Sequence, residues 1–323
     1  MNDQVVLVTG GTGSFGRKFA EIVLKRFRPR KLIVLSRDEM KQHEMRREFS
    51  EDGDSPMRYF IGDVRDRARM YRAMTGVDIV IHAAALKQVP SCEYNPFEAV
   101  KTNVLGAQNV IDAAIDCGVK KVLAISSDKA VSPANIYGAT KLCAEKLFVQ
   151  GNNYSRPGGC RLACARYGNV VGSRGSVLPI FEAQRASGVL TITDPRMTRF
   201  WLTLEQGVDF VLNCVNAMEG GEVFVPKIPS MRVVDLADAV APGATVEVIG
   251  IRPGEKIHEA LISEDEARDG VELDDMYVIQ PVSYRKRGRW MDAKRLADGF
   301  RYTSDTNTRW LSASELRALL PST

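Results

Sequence analysis

An apolar run, Val5-Val6-Leu7-Val8, leads straight into Thr9-Gly10-Gly11-Thr12-Gly13-Ser14-Phe15-Gly16, and this junction restricts the fold more than any other stretch of the chain. It satisfies both G-x-G-x-x-G and G-x-x-G-x-x-G. Glycines let a chain turn tightly out of a strand and bring backbone N–H groups close to a pyrophosphate at the positive end of the next helix. Such triplets also arise by chance in loops. Here the pattern follows a strand and opens a helical stretch with Phe19, Ile22 and Val23 on one face, which is the context that gives it meaning. Gly10, Thr12, Gly13, Ser14, Phe15 and Gly16 are therefore the first candidates for contact with a dinucleotide.

The alternation continues through the first half. Apolar runs at 5–8, 32–35, 58–61, 79–82, 121–126 and 162–167 predict strands, and helical patterns near 15–26, 97–117 and 137–151 predict helices between them. Strands buried on both faces and separated by helices call for a parallel, doubly wound α/β sheet of the Rossmann type. After Asn169 the alternation loosens. Residues 179–187, 205–218 and 232–240 read as helices, and 189–193 and 246–249 as strands. The expected organisation is a cofactor domain over 1–170, with a helix from 200–220 packing back on it, and a smaller, interleaved α/β substrate domain over 171–323.

Composition removes several function classes. A net charge of +4 over 323 residues does not suit a dedicated nucleic-acid binder, though it leaves room for a local anion pocket. The basic run at 285–289 (RKRGR) has no interleaved aromatics and reads as a solvated loop. No apolar run approaches the ~20 residues of a bilayer span, and the first residues enter a strand without a leader, so a soluble, cytoplasmic protein is expected. Six cysteines lack C-x-x-C spacing and read as reduced, interior thiols. Three histidines show no metal-ligand spacing, so no metal is expected.

The end of the second strand bears on the choice of cofactor. An NAD enzyme places a carboxylate directly after the last apolar residue to hold the ribose diol. Here Ser36 stands there, followed by Arg37, with Lys41 a turn later. A hydroxyl and two cations suit a 2′-phosphate and favour NADP; Asp38 follows too late for the diol. Asp63 and Val64 sit after the third strand, where an adenine ring would be bracketed.

Two motifs carry chemistry. Tyr137 and Lys141 fall on one helix face at i and i+4. The ammonium is expected to lower the tyrosine pKa, so that the phenolate takes a hydroxyl proton as hydride leaves for a nicotinamide. Just ahead of them stands Ser127-Asp128-Lys129, two unlike proton carriers that a simple dehydrogenase would not need. A lysine acts as a base only when neutral. Its pKa should then be pulled down by desolvation or by a neighbouring cation such as Lys141 or Lys87.

With these residues in hand, the chain resembles the extended short-chain dehydrogenase/reductase superfamily and, within it, the inverting UDP-N-acetylglucosamine 4,6-dehydratases that open pseudaminic acid synthesis. The similarity rests on 9–16 (TGGTGSFG), 36–42 (SRDEMKQ), 82–90 (HAAALKQVP), 126–130 (SSDKA), 137–142 (YGATKL), 167–176 (YGNVVGSRGS), 197–201 (MTRFW), 225–231 (VPKIPSM) and 251–258 (IRPGEKIH). One departure is Ser127, where the family commonly has Thr; the hydroxyl survives. The resemblance implies oxidation at sugar carbon 4 by Tyr137 and Lys141. Lys129 would then remove the carbon 5 proton, and Asp128 would assist loss of the carbon 6 hydroxyl. Inversion at carbon 5 comes from the resemblance and is not readable from the residues.

For the substrate, Arg199 and Arg252 offer planar forks for phosphate oxygens, and Glu255 could accept from a ribose hydroxyl. The resemblance places Asn169 and Lys87 near the sugar and pyrophosphate. Ala84 joins the cofactor set, as do Lys87, Tyr137 and Lys141, and Val177 joins the substrate set. The resemblance also implies a symmetric homo-oligomer, such as a hexamer. Two alternatives stay open: a UDP-sugar epimerase working through the same 4-keto intermediate, and a non-catalytic NADP-binding regulator.

Overall fold

The computed structural model describes residues 1–172, 177–281 and 289–319. Most of the basic run at 285–289 and the end of the 167–176 motif lie outside the described residues. Six parallel strands form the first half: β1 (Val5–Thr9), β2 (Lys31–Ser36), β3 (Met57–Ile61), β4 (Ile79–His82), β5 (Lys121–Ser127) and β6 (Arg161–Tyr167). They lie in the spatial order β3-β2-β1-β4-β5-β6. The Val/Ile/Leu-rich sequences of β1, β2 and β4 follow from burial on both faces.

The sheet does not stop at residue 170. Val223–Pro226 joins β6 in parallel, and Met276–Ile279, Gly270–Glu272 and Lys294–Arg295 extend the edge antiparallel, giving ten strands. A second, smaller core gathers Phe181, Leu190, Trp201, Leu236 and Leu316. The chain beyond 170 is thus divided between the large sheet and this satellite core. The helix Leu204–Ala217 opens with a capping box on Thr203 and Gln206, and its Val208, Val211 and Val215 join the main core.

The helices of the first half are α1 (Ser14–Arg26), α2 (Glu39–Glu48), α3 (Arg67–Met74), α4 (Val89–Tyr94), α5 (Pro96–Ala99), α6 (Gly106–Asp116) and α7 (Ile136–Gly151); Cys92 of α4 and Ala99 of α5 cluster with Tyr137 of α7. Apolar periodicity misses α2 and α3, because both are charged and bury few residues. Their start signals are the N-caps Asp38 and Asp66, whose carboxylates accept from Lys41 N and Arg69 N.

The single helix expected over 97–117 is corrected. A π-helical segment, Val100–Leu105, lies between α5 and α6. The wider turn sets Asn103 against the loop after β4, where its amide holds the Leu86 N–H at 2.8 Å and the Leu86 carbonyl at 2.9 Å. Such bulges recur where a helix must deliver a side chain to a site.

Four of the cysteines are buried and Cys117 is half-buried, but Cys143 is exposed, which corrects the expectation of six interior thiols. Among the described residues no helix is long and apolar enough to cross a membrane. No His, Cys, Asp and Glu cluster among them could hold a metal ion.

Candidate active site

A cavity of about 560 Å³ runs along the carboxyl ends of β1–β6, across the point between β1 and β4 where the strand order reverses. Open α/β sheets take their ligands there. Its wall brings together Gly10, Thr12, Gly13, Ser14 and Phe15 from the first turn, Ser36, Arg37, Asp38 and Lys41 after β2, and Asp63 and Val64 after β3. Ala84 and Lys87 follow β4. Ser127, Asp128, Lys129, Tyr137, Lys141 and Asn169 close the far end.

The glycines have separate duties. Gly10 holds φ +65°, and a Cβ there would stand 2.9 Å from the Ala84 backbone, so both the turn and the close approach require glycine. Gly16 does not line the cavity. A Cβ on it would strike the Gly11 carbonyl at 2.3 Å, so it serves helix-to-turn packing and not ligand contact, a correction to the sequence reading.

The outer corner is cationic and hydroxylic. Ser36 shares a 2.8 Å hydrogen bond with Thr12, Arg37 stands 3.7 Å from Asp63, and Lys41 pairs with Asp38. Three buried oxygens in the wall have no hydrogen-bond partner among the described residues: Thr102 Oγ1, Ser126 Oγ and Asn169 Oδ1. An unsatisfied buried polar group costs about 1–3 kcal/mol, which a polar ligand relieves. The glycine turn, the helix N-terminus and these orphaned acceptors fit a dinucleotide with a sugar beside it.

At the catalytic end, Ser127 caps the short turn Asp128–Ala130 by accepting from Lys129 N, and its hydroxyl donates to Asp128 Oδ1 at 2.7 Å. Lys129 Nζ lies 3.0 Å from Asp128 Oδ2 and 3.0 Å from Glu259 Oε1. Gly138 lets α7 press on this turn, since a Cβ there would fall 2.3 Å from the Lys129 carbonyl. Asn135 caps α7 and also donates to the Gly254 carbonyl at 2.8 Å, tying the helix to the loop before Glu259.

Two electrostatic expectations are overturned. Desolvation alone would lower the Lys129 pKa, but Asp128 and Glu259 outweigh it, and the amine is held well above its ordinary value. The neighbours that matter are carboxylates, not Lys141 or Lys87. Tyr137 is pushed up to about 12, chiefly by burial, with the Ser127 hydrogen bond opposing. Lys141 Nζ donates to the Ile125 carbonyl at 2.6 Å, and burial lowers its own pKa. The expected tyrosinate is therefore a phenol here.

The substrate-side residues are only partly assembled. Lys87 and Asn169 line the cavity; Val177, Arg199, Arg252 and Glu255 do not. Arg199 donates to the carbonyls of Thr198, Ile257 and Lys256 at 2.7, 2.9 and 3.0 Å, so its fork braces the 256–257 loop and grips no open anion site. Arg252 is exposed and 3.8 Å from Glu255.

A family model described as "Polysaccharide biosynthesis protein" matches residues 6–281. The chain is 50% identical over 330 residues to a Campylobacter jejuni protein named UDP-N-acetylglucosamine 4,6-dehydratase (inverting), covering 99% of this chain and 98% of that one. This chain belongs to the inverting UDP-N-acetylglucosamine 4,6-dehydratase family. A Rickettsia conorii protein named UDP-glucose 4-epimerase is 42% identical, covering 98% of this chain and 95% of that one. Among solved structures, Pen from Bacillus thuringiensis superposes with a TM-score of 0.88 at 41% identity over 98% of each chain. DesIV, a dTDP-glucose 4,6-dehydratase from Streptomyces venezuelae, shares the fold at 22% identity, with a TM-score of 0.67 over 78% of this chain and 86% of that one.

For a member of this dehydratase family, the sequence reading overlooked two contributors. Thr102 reaches the cavity from the π segment, and no periodicity signals that segment. Glu259 directly follows the 251–258 motif and meets Lys129 only through the fold. Its one signal is a lone carboxylate next to that motif.

Proposed function

We infer that this protein is a UDP-N-acetylglucosamine 4,6-dehydratase, a hydro-lyase that inverts carbon 5 and yields UDP-2-acetamido-2,6-dideoxy-beta-L-arabino-hexos-4-ulose. The observation that carries this reading is the Lys129 amine and Asp128 carboxyl in the same cavity wall as Tyr137 and the glycine turn. The full-length identity to inverting dehydratases supports it.

The glycine turn and the α1 N-terminus would hold the pyrophosphate of a nicotinamide dinucleotide, and Tyr137 and Lys141 would flank its working end. Ser36, Arg37 and Lys41 favour NADP, because no carboxylate follows the last apolar residue of β2. When bound, the dinucleotide supplies reversible hydride storage. Tyr137 works as a base only once its phenol proton has passed to solvent; the Ser127 hydrogen bond offsets part of the burial that resists this ionisation, and Oη then takes the proton of the carbon 4 hydroxyl. A carbonyl at carbon 4 acidifies the carbon 5 proton, which Lys129 Nζ removes. Asp128, in its carboxylic acid form, delivers a proton to the departing carbon 6 hydroxyl, and the proton that Tyr137 took from the carbon 4 hydroxyl restores it. The reaction leaves no net redox change.

A second reading, a UDP-sugar 4-epimerase, is favoured by the relatives of that name at 42% identity. An epimerase needs only the Tyr137 and Lys141 pair; the elimination needs Asp128 and Lys129 as well. Incubation with UDP-N-acetylglucosamine in deuterated water, followed by NMR, separates the two. The dehydratase loses the carbon 6 hydroxyl, gains one solvent deuteron at carbon 5 and accumulates no reduced cofactor. An intact 6-hydroxymethyl group with altered ring stereochemistry would identify the epimerase.

A further inference from the structure

Lys129 can work on a sugar only after losing a proton, yet its surroundings favour keeping it. The groups facing it are Asp128 from its own turn, Tyr137 from α7, Glu259 and Arg199 from the substrate side, and Lys256 from the adjoining loop. Asp128 accepts from Ser127 and, in the proposed reaction, must deliver a proton of its own. Glu259 is otherwise placed. It is 3% exposed, and its backbone is pinned on both sides by Ser304: Glu259 N donates to Ser304 Oγ at 2.9 Å and Ser304 N to the Glu259 carbonyl at 2.8 Å. Oε1 lies 3.0 Å from Lys129 Nζ, Arg199 Nε stands 4.0 Å off, and Oε2 is buried with no hydrogen-bond partner among the described residues. Glu259 Oε1 thus offers Lys129 an acceptor that the proposed reaction does not otherwise use.

We propose that Glu259 is the positioning residue that frees Lys129 for catalysis by accepting its proton across their shared hydrogen bond. The proposal rests on the reading of Lys129 as the carbon 5 base. An Nζ–H bond breaks and an Oε1–H bond forms, turning ammonium and carboxylate into amine and carboxylic acid. The pair is neutral overall before and after, so no net charge is created in the buried site. The amine then takes the carbon 5 proton and becomes an ammonium beside a protonated Glu259. One of these two protons balances the proton returned to carbon 5, and the pair ends the cycle as it began.

The test uses the full chain with dinucleotide bound. Dehydration and deuteration at carbon 5 are followed for wild type, Glu259→Gln and Glu259→Asp from about pH 6 to about pH 10. Glutamine keeps an acceptor oxygen beside Nζ but cannot take the proton. Its kcat should fall by about 100-fold or more at neutral pH, with KM steady, and climb with pH as solvent base takes over. Aspartate should restore a flat profile. A loss equal at every pH, or one confined to KM, would mean a structural role and overturn the proposal. So would a glutamine variant as fast as wild type at neutral pH. A readout that needs no variant covers the case of misfolding. Wild-type protein labelled with 13C at glutamate carboxyls should gain a label-shifted carboxylic-acid C=O stretch during turnover, and absence of that band also overturns the proposal. Wild-type elimination in Lys129→Ala, by contrast, would remove the reading beneath it whatever Glu259 does.

Discussion

Lys129 illustrates how a side chain's chemistry depends on neighbours that sequence distance conceals. Its place after an apolar strand, next to Asp128 and ahead of Tyr137, was legible, because β5 ends where the active face of such a sheet lies. Its charge state was not, because Glu259, which adds to the pull of the neighbouring Asp128, reaches it only through tertiary packing. Lys129→Ala should keep dinucleotide affinity, measured by fluorescence titration, while elimination falls by about 10²–10⁴-fold, the usual worth of a positioned base. At the other end of the cavity, Arg37 is half-exposed and only 3.7 Å from Asp63. If it meets a 2′-phosphate, Arg37→Ala should weaken NADP by roughly 10- to 100-fold, equivalent to one charge-assisted hydrogen bond, and leave NAD binding unchanged. Equal losses for both cofactors in isothermal titration would remove Arg37 from the selection.

Among the elements, the contact between α7 and the Asp128–Ala130 turn decides whether the site forms. Gly138 sits against the Lys129 carbonyl, so Gly138→Ala must move the turn or the helix. A displacement of even a few tenths of an ångström shifts Lys129 relative to Tyr137. The variant should fold but lose at least about tenfold in kcat, because proton transfer tolerates little misplacement. Behind the same helix lies a buried ion cluster. Arg166 on β6 donates to Glu145 of α7 and, at 2.7 and 2.9 Å, to Glu266. Arg166→Ala leaves Glu145 buried without its cation and should cost about 3–5 kcal/mol in urea unfolding. None of this cluster was read from the sequence. Arg166 stands in the buried stretch of β6 among apolar neighbours, and its partners lie 21 and 100 residues away.

The whole molecule couples stability to pH through His82. Burial, with Lys141 adding repulsion, lowers its pKa to about 3, and its ring shares a 2.8 Å hydrogen bond with Thr9. Between about pH 6.5 and about pH 3 the unfolded chain binds a proton that the native ring refuses, so this contribution is fully present above that window and is lost as pH falls through it. His82→Gln should flatten the acid limb of the stability profile by up to about 1.4 kcal/mol per pH unit, read from urea midpoints across that range. The large architecture was already implicit in the chain. Apolar runs with helices between them admit few arrangements other than a doubly wound sheet, and a glycine turn after the first strand locates its ligand edge, because hydrophobic period and backbone freedom are local properties. Everything that depends on electric field was decided by folding: the ammonium at 129, the phenol at 137, the bracing role of Arg199 and the capture of four later strands by the sheet. Charges and carbonyls act through space over a few ångströms, and only the tertiary structure sets those distances.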